Sequence, residues 1–235
     1  MHHLVVERWS RGSSPLHARD ARAKIAALAA FLIAVSTTPP GAQAAFAAYG
    51  ALLLAAVLGA RLPLGSVLRR AALVLPFSAT FALFTWWGGD ATRALALAEK
   101  SFLSGLAALI TIATTPLADL VQGLESFHVP RFLLLVIQFV YRYLFVISEQ
   151  AQHMRLAARS RQGRGRAGYH FRAAAGAVGV LFARSWERAE GIHRAMLARG
   201  FSGRMPSLDH PHFHAADVLF FLAAAGSSVA IRLAL

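Results

Sequence analysis

Apolar residues gather in runs of bilayer length, broken by short polar or proline-containing stretches, and strand-like alternation is not prominent. The first run covers about 23–38 and stops at Pro39-Pro40-Gly41, a strong helix breaker. A second covers about 43–60. A short basic loop with Arg61, Pro63, Arg69 and Arg70 follows. The third run, about 71–88, contains Pro76 as a candidate kink and ends on Trp86-Trp87, a pair suited to a membrane interface. A fourth spans about 95–114 and a last one about 215–234.

The stretch 116–212 reads differently. Its apolar runs, 131–148 and 173–183, pass without a break into basic, amphipathic extensions. No proline or glycine interrupts Arg131 to Ser160, so one helix of roughly 45 Å is expected at about 1.5 Å per residue. Leu144, Ile147, Ala151, Met154 and Ala158 recur at three and four, which predicts one packing stripe. In the second helix Phe182, Trp186, Ala189, Ile192 and Met196 are expected to share a face, with Arg184, Arg188 and Arg194 mostly off it. The linker Arg161 to His170 is too rich in Gly and Arg to be helical throughout. Whether 131–148 spans a membrane or belongs to a cytoplasmic lever stays open.

The expected fold is all-α: a polytopic membrane protein of about five transmembrane helices, with a cytoplasmic module of long crossing amphipathic helices. Its parts are an N-terminal arm (1–22), a four-span membrane domain (23–115), the two-helix module (116–212) and a C-terminal span (213–235).

Charge supplies orientation. The 235 residues carry 24 Lys+Arg against 11 Asp+Glu, yet only 15% are charged and 57% are hydrophobic. Three arginines lie in the 61–70 loop and none at Pro39–Gly41, which places the N-terminus and the 61–70 loop in the cytoplasm. The polar start of the chain is too charged for a cleavable signal. Eleven arginines between Arg155 and Arg204 exclude that region from hydrocarbon and make it a surface for anionic lipid, nucleic acid or a protein partner.

Candidate chemistry is sparse. Cysteine is absent, and so are a phosphate-binding P-loop, a zinc-protease HExxH and a GxSxG elbow. His2, His3, His17 and the group His210, His212 and His214 invite a metal reading, but an ordinary polar loop before the last span is preferred. Glu99 and Lys100 are read as an interfacial pair, with Asp119 and Glu125 the other members of a candidate ion path. Gly105 is read as ordinary packing.

Two helix ends stand out. Ala158-Arg159-Ser160 and, forty positions later, Ala198-Arg199-Gly200 each close a long amphipathic stretch. Ala keeps such a tip narrow, a small residue permits a cap, and Arg offers a fork of donors to carboxylates or helix-end carbonyls. One such end is a favourable cap; two favour docking.

At these residues the chain resembles the transmembrane T component of energy-coupling factor (ECF) transporters, the EcfT/CbiQ family. Ser13 to Ile25, "SSPLHARDARAKI", resembles the family's opening motif, with departures such as Ala21. Thr114 to Leu144 and Arg184 to Gly203, "RSWERAEGIHRAMLARGFSG", resemble two further blocks. The resemblance implies a non-catalytic subunit in which Ala198, Arg199 and Gly200 match one ATPase-coupling motif. Ala158, Arg159 and Ser160 match the other, with Ser in place of Gly. It implies an ABC-type ATPase dimer (CbiO/EcfA type) as partner, with ATP and Mg bound there and no cofactor on this chain. A substrate-binding membrane S component (CbiM type, with or without CbiN) and membrane lipid complete the partners, and nucleic acid is not among them. The implied location is the bacterial inner membrane, with the N-terminus cytoplasmic. The opening residues and the length resemble the cobalt branch most; nickel or a vitamin are the alternative cargoes. Rival readings are a self-contained transporter or channel and a membrane-anchored nucleic-acid binder, and co-purification separates the three.

Overall fold

The computed structural model describes residues 9–10, 12–161, 167–203 and 214–234, with backbone alone at 161 and 167–170. His2, His3, His210, His212 and the centre of the Arg161–His170 linker lie outside the described residues. The described elements are helices: α1 (Ala21–Thr37), α2 (Gln43–Gly59), α3 (Leu64–Ala71), α4 (Leu75–Trp87), α5 (Ala91–Ala113), α6 (Leu117–Ser126), α7 (Arg131–Arg161), α8 (Ala167–Ala198) and α9 (Ala215–Ala234). A 3₁₀ turn at Ala72–Val74 joins α3 to α4. The chain divides into two units, Met1–Phe127 with Pro211–Leu235, and His128–His210. The boundary falls after α6 rather than near 115.

Leu64–Trp87, Ala91–Ala113, Arg131–Ser160 and Ala215–Ala234 are long and apolar enough to cross a membrane, and Gln43–Gly59 is a shorter apolar helix. The protein is a polytopic all-α membrane protein. This set overlaps the expected spans only in part. α1 and α2 have 17 residues each, at the lower limit for crossing, whereas Arg131–Ser160 exceeds it. The third run begins at Leu64 rather than 71. Pro76 lies in the first turn of α4, where its missing N–H costs nothing, and the irregularity sits before it as the 3₁₀ turn.

In the first unit α5 is central and packs against α1, α2, α3 and α4, while α9 lies along α1 and touches α2. Small residues let the backbones approach, as hydrocarbon-embedded helices require. Ala34, Ala45, Ala71, Ala96, Ala107 and Ala113 are all buried. Larger side chains fill the spaces between them. Phe31 meets Tyr49 edge to face at 5.6 Å, and the Tyr49 hydroxyl donates to the Ser228 carbonyl at 3.3 Å. A buried phenol needs that partner. The outer face of α4 is a bare aromatic surface, with Phe77, Phe81, Phe84 and Trp87 exposed. A single-chain surface of this kind suits lipid rather than water.

Two glycines mark close approaches. A Cβ on Gly105 would stand 3.0 Å from Val74 Cγ2, so the glycine admits the α3–α4 junction. A Cβ on Gly123 would stand 3.1 Å from Ile25 Cδ1 and 3.3 Å from Ala21 Cβ, so α6 is seated directly on α1. Replacing Gly123 by Leu should therefore cost about 1–3 kcal/mol through overpacking. Gly59 has nothing within 4 Å of the same position. Thermal unfolding in detergent should show a lowered Tm for Gly123→Leu and no loss for Gly59→Leu.

Candidate coupling site on the two long helices

α7 and α8 pack against each other within the second unit. α7 begins with aromatic residues at helical spacing: Phe139 stacks on Tyr143 at 6.2 Å, and Tyr141 meets Phe145 edge to face at 5.3 Å. Towards its end Ile147, Ala151, Met154 and Ala158 are half-buried, which is the expected stripe with Leu144 left outside it. In α8 the half-buried line runs through Ala173, Ala177, Leu181, Ser185, Ile192 and Met196. Phe182, Trp186 and Ala189 are exposed, so the expected face is off by about one residue along this stretch. α8 turns inward the line that begins with the small residues Ala173 and Ala177. The large aromatic side chains are thereby turned outward.

The two triplets end their helices differently. At the close of α8, Gly200 takes φ +79°. Its N–H donates to the Leu197 carbonyl at 3.0 Å, and the Phe201 N–H donates to the Met196 carbonyl at 3.0 Å. These are the paired bonds of a Schellman stop, with Gly200 in the left-handed position that a Cβ disfavours. Arg199 is thus the capping residue itself, exposed, with its charge at the negative end of the helix dipole. At the other triplet the helix does not stop. α7 continues through Ser160 to Arg161, and the Ser160 hydroxyl donates back to the Ala157 carbonyl at 3.0 Å. Serine lacks glycine's freedom at positive φ and stays helical.

Arg159 and Arg199 are both exposed, and neither has a carboxylate at ion-pair distance among the described residues. Arg194, in contrast, is already held by Glu190 at 2.9 Å, one turn earlier on α8. No described hydrogen bond or ion pair joins the two triplets. Among the described residues, then, both guanidinium groups face outward without an ion-pair partner.

A polar cluster in the first unit was not legible as a site. Lys24 is only 4% exposed. Its ammonium donates to the Thr114 carbonyl at 2.9 Å, to Thr115 Oγ1 at 3.1 Å and to the His17 carbonyl at 3.4 Å. Asp217 accepts from the His214 N–H at 3.0 Å, which caps α9, and from the Asp20 N–H at 3.1 Å. Asp20 in turn caps α1 by accepting from the Arg22 N–H at 2.7 Å. His17 braces the arm through Ser14 Oγ at 2.7 Å and the Trp9 carbonyl at 2.8 Å, and the Arg70 guanidinium lies 4.5 Å above the Trp9 ring. The signal in the sequence was a lysine at the mouth of an apolar run.

Lys100 donates to the Ser36 carbonyl at 2.8 Å and forms no ion pair with Glu99. Among the described residues no group of three or more His, Cys, Asp or Glu is placed to hold a metal ion.

Gly200→Val should strain the stop by about 1–2 kcal/mol, the penalty for a side chain in the left-handed region. Amide exchange at Phe201 is then expected to rise about tenfold, since about 1.4 kcal/mol corresponds to one decade. Gly200→Asn should show a smaller rise, and Ser160→Ala none at that amide.

The family described as CbiQ, cobalt transport protein, matches residues 12–209, a range that includes both triplets. A cobalt transport protein CbiQ of Rhodobacter capsulatus is 31% identical over 185 residues, covering 74% of this chain and 75% of that protein. An uncharacterised protein of Methanocaldococcus jannaschii is 28% identical over 107 residues, covering 45% of this chain and 40% of its own length. The chain belongs to the CbiQ family of cobalt transport proteins.

Proposed function

We propose that this protein is the non-catalytic transmembrane coupling subunit of an ECF-type ABC importer for cobalt. It passes the closure of an ABC-type ATPase pair to a substrate-binding S component in the same membrane. The observation that carries the reading is the pair of exposed arginines, Arg159 and Arg199, each at the end of a helix of more than thirty residues and with no carboxylate at ion-pair distance among the described residues. A long helix transmits displacement along its axis, because its hydrogen bonds tie each turn to the next. A guanidinium fork beside a small residue suits a groove lined with carboxylates or helix-end carbonyls.

In this reading ATP binding, with Mg, draws the two ATPase subunits together. They move the tips at Ala158-Arg159-Ser160 and Ala198-Arg199-Gly200, and α7 and α8 act as levers on the membrane helices. ATP chemistry stays on the partners, and this chain supplies position and force. The arginine-bearing 61–70 loop and the basic ends of α7 and α8 favour an inner-membrane orientation with the N-terminus in the cytoplasm. The cobalt assignment rests on the name of the Rhodobacter relative and of the family.

The test is co-expression with an ABC-type ATPase pair and a CbiM-type S component. Arg159→Glu and Arg199→Glu should each weaken ATPase retention about 10- to 100-fold, the range for a central charged contact, and the double variant should abolish it. Both residues are exposed, so the Tm of the isolated chain should move little, Arg199→Glu costing about 1 kcal/mol through the reversed charge at the helix end. Uptake of radioactive cobalt into vesicles should fall in parallel, while nickel and a vitamin serve as competing cargoes. Intact complexes with undiminished uptake in the double variant would sink the reading.

A further inference from the structure

Lys24 sits where three helix ends of the first unit meet: the start of α1, the end of α5 and the start of α9. The charges there follow the helix dipoles. The Lys24 ammonium lies on the carbonyl end of α5, and the Asp20 and Asp217 carboxylates cap the N–H ends of α1 and α9. Asp217 also reaches the backbone of Asp20, so a single carboxylate serves the starts of two helices. Asp119, on the first turn of α6, adds negative charge near Lys24. All three protons of the ammonium have acceptors, which a buried cation requires.

The position of this cluster in the chain matters more than its strength. Thr114 and Thr115 immediately precede α6, which is seated on α1 at Gly123, and α6 leads within a few residues into α7. The chain of α7 is thus joined to the first unit at this stretch of backbone.

We propose that Lys24 is a positioning residue that locks the end of α5 to the start of α1, which Asp217 joins to the start of α9, so that motion entering at α6 moves these helices as one block. The inference rests on the coupling role argued above. A slack joint at this point would absorb the movement: the tips would still bind and the ATPases would still turn over, but the membrane helices would follow less. Lys24→Met keeps the apolar stem and removes the donors. Lys24→Arg keeps the charge and donors that can reach the same carbonyls.

Two measurements test it. The chain has no cysteine, so Ala118→Cys and Ala216→Cys, both at exposed sites on α6 and α9, give a unique spin-label pair without further changes. In the isolated chain in nanodiscs the parent should give a single narrow distance distribution. Lys24→Met should broaden it, and Lys24→Arg should restore it. In vesicles holding the complex with the ATPases and S component, Lys24→Met should raise the ATP hydrolysed per cobalt ion moved by about fivefold, within the range a coupling residue commands. Subunit composition should stay unchanged, and Lys24→Arg should return the ratio to near its original value. An unbroadened distribution or an unchanged ratio in Lys24→Met overturns the proposal. If Lys24→Met does not fold, Thr115→Val and Asp217→Asn, which each remove one contact, carry the same test. If the parent chain fails to bind the ATPases, the coupling role falls, and the label distances still judge the lock by themselves.

Discussion

A lysine ammonium buried beside hydrocarbon has to find its acceptors within the protein, and Lys24 finds them at the end of α5. Most of the first unit's arrangement is consistent with that one demand. The carbonyls left over at a helix C-terminus are the densest set of free acceptors a membrane bundle has. Using them requires α5 to finish beside the beginning of α1. Asp217 then brings the start of α9 to the same place by capping it and reaching Asp20. Polar groups that would each be costly alone are gathered at one end of the bundle, and the rest of the helix length is free to be alanine and leucine.

The second unit is built on a different balance. α7 and α8 meet along half-buried lines of small and medium residues, and much of their apolar surface is left bare. Their apolar beginnings and arginine-rich ends divide each helix into a part that tolerates lipid and a part that does not. The ends differ in how they stop. Gly200 reverses the backbone at once through its positive φ, so Arg199 stands at a sharp corner. Ser160 cannot do this cheaply, so Arg159 projects from a helix that is still running. Arg159 and Arg199 thus stand on different backbones.

Much of this was readable along the chain. The apolar runs, the Pro39-Pro40-Gly41 break and the unbroken stretch from Arg131 to Ser160 all reappear as helices and their limits, because helix formation is decided by local periodicity and by breakers. The triplet Ala198-Arg199-Gly200 was legible because glycine after a helical run is itself the stop signal. Other features were hidden. Helix α6 is short and moderately polar, and it gains its place from the contact of Gly123 with α1. The outward turn of Phe182 and Trp186 goes against the expectation that large apolar residues face a neighbour. Side-chain size says nothing about which face a partner helix approaches.

The amino-acid sequence by itself determined that this is a helical membrane protein with two long, basic-ended helices, because length, hydropathy and the placing of glycine and proline act within a few residues of each other. Tertiary structure alone decided that Lys24, Asp20, Thr114, Thr115 and Asp217 form one cluster, since the last of them lies almost two hundred residues from the first. Burial of charge is settled by what the fold places around it, and no local pattern encodes that. The same holds for the rotation of α8, where packing turned outward part of the face that periodicity predicted to be covered.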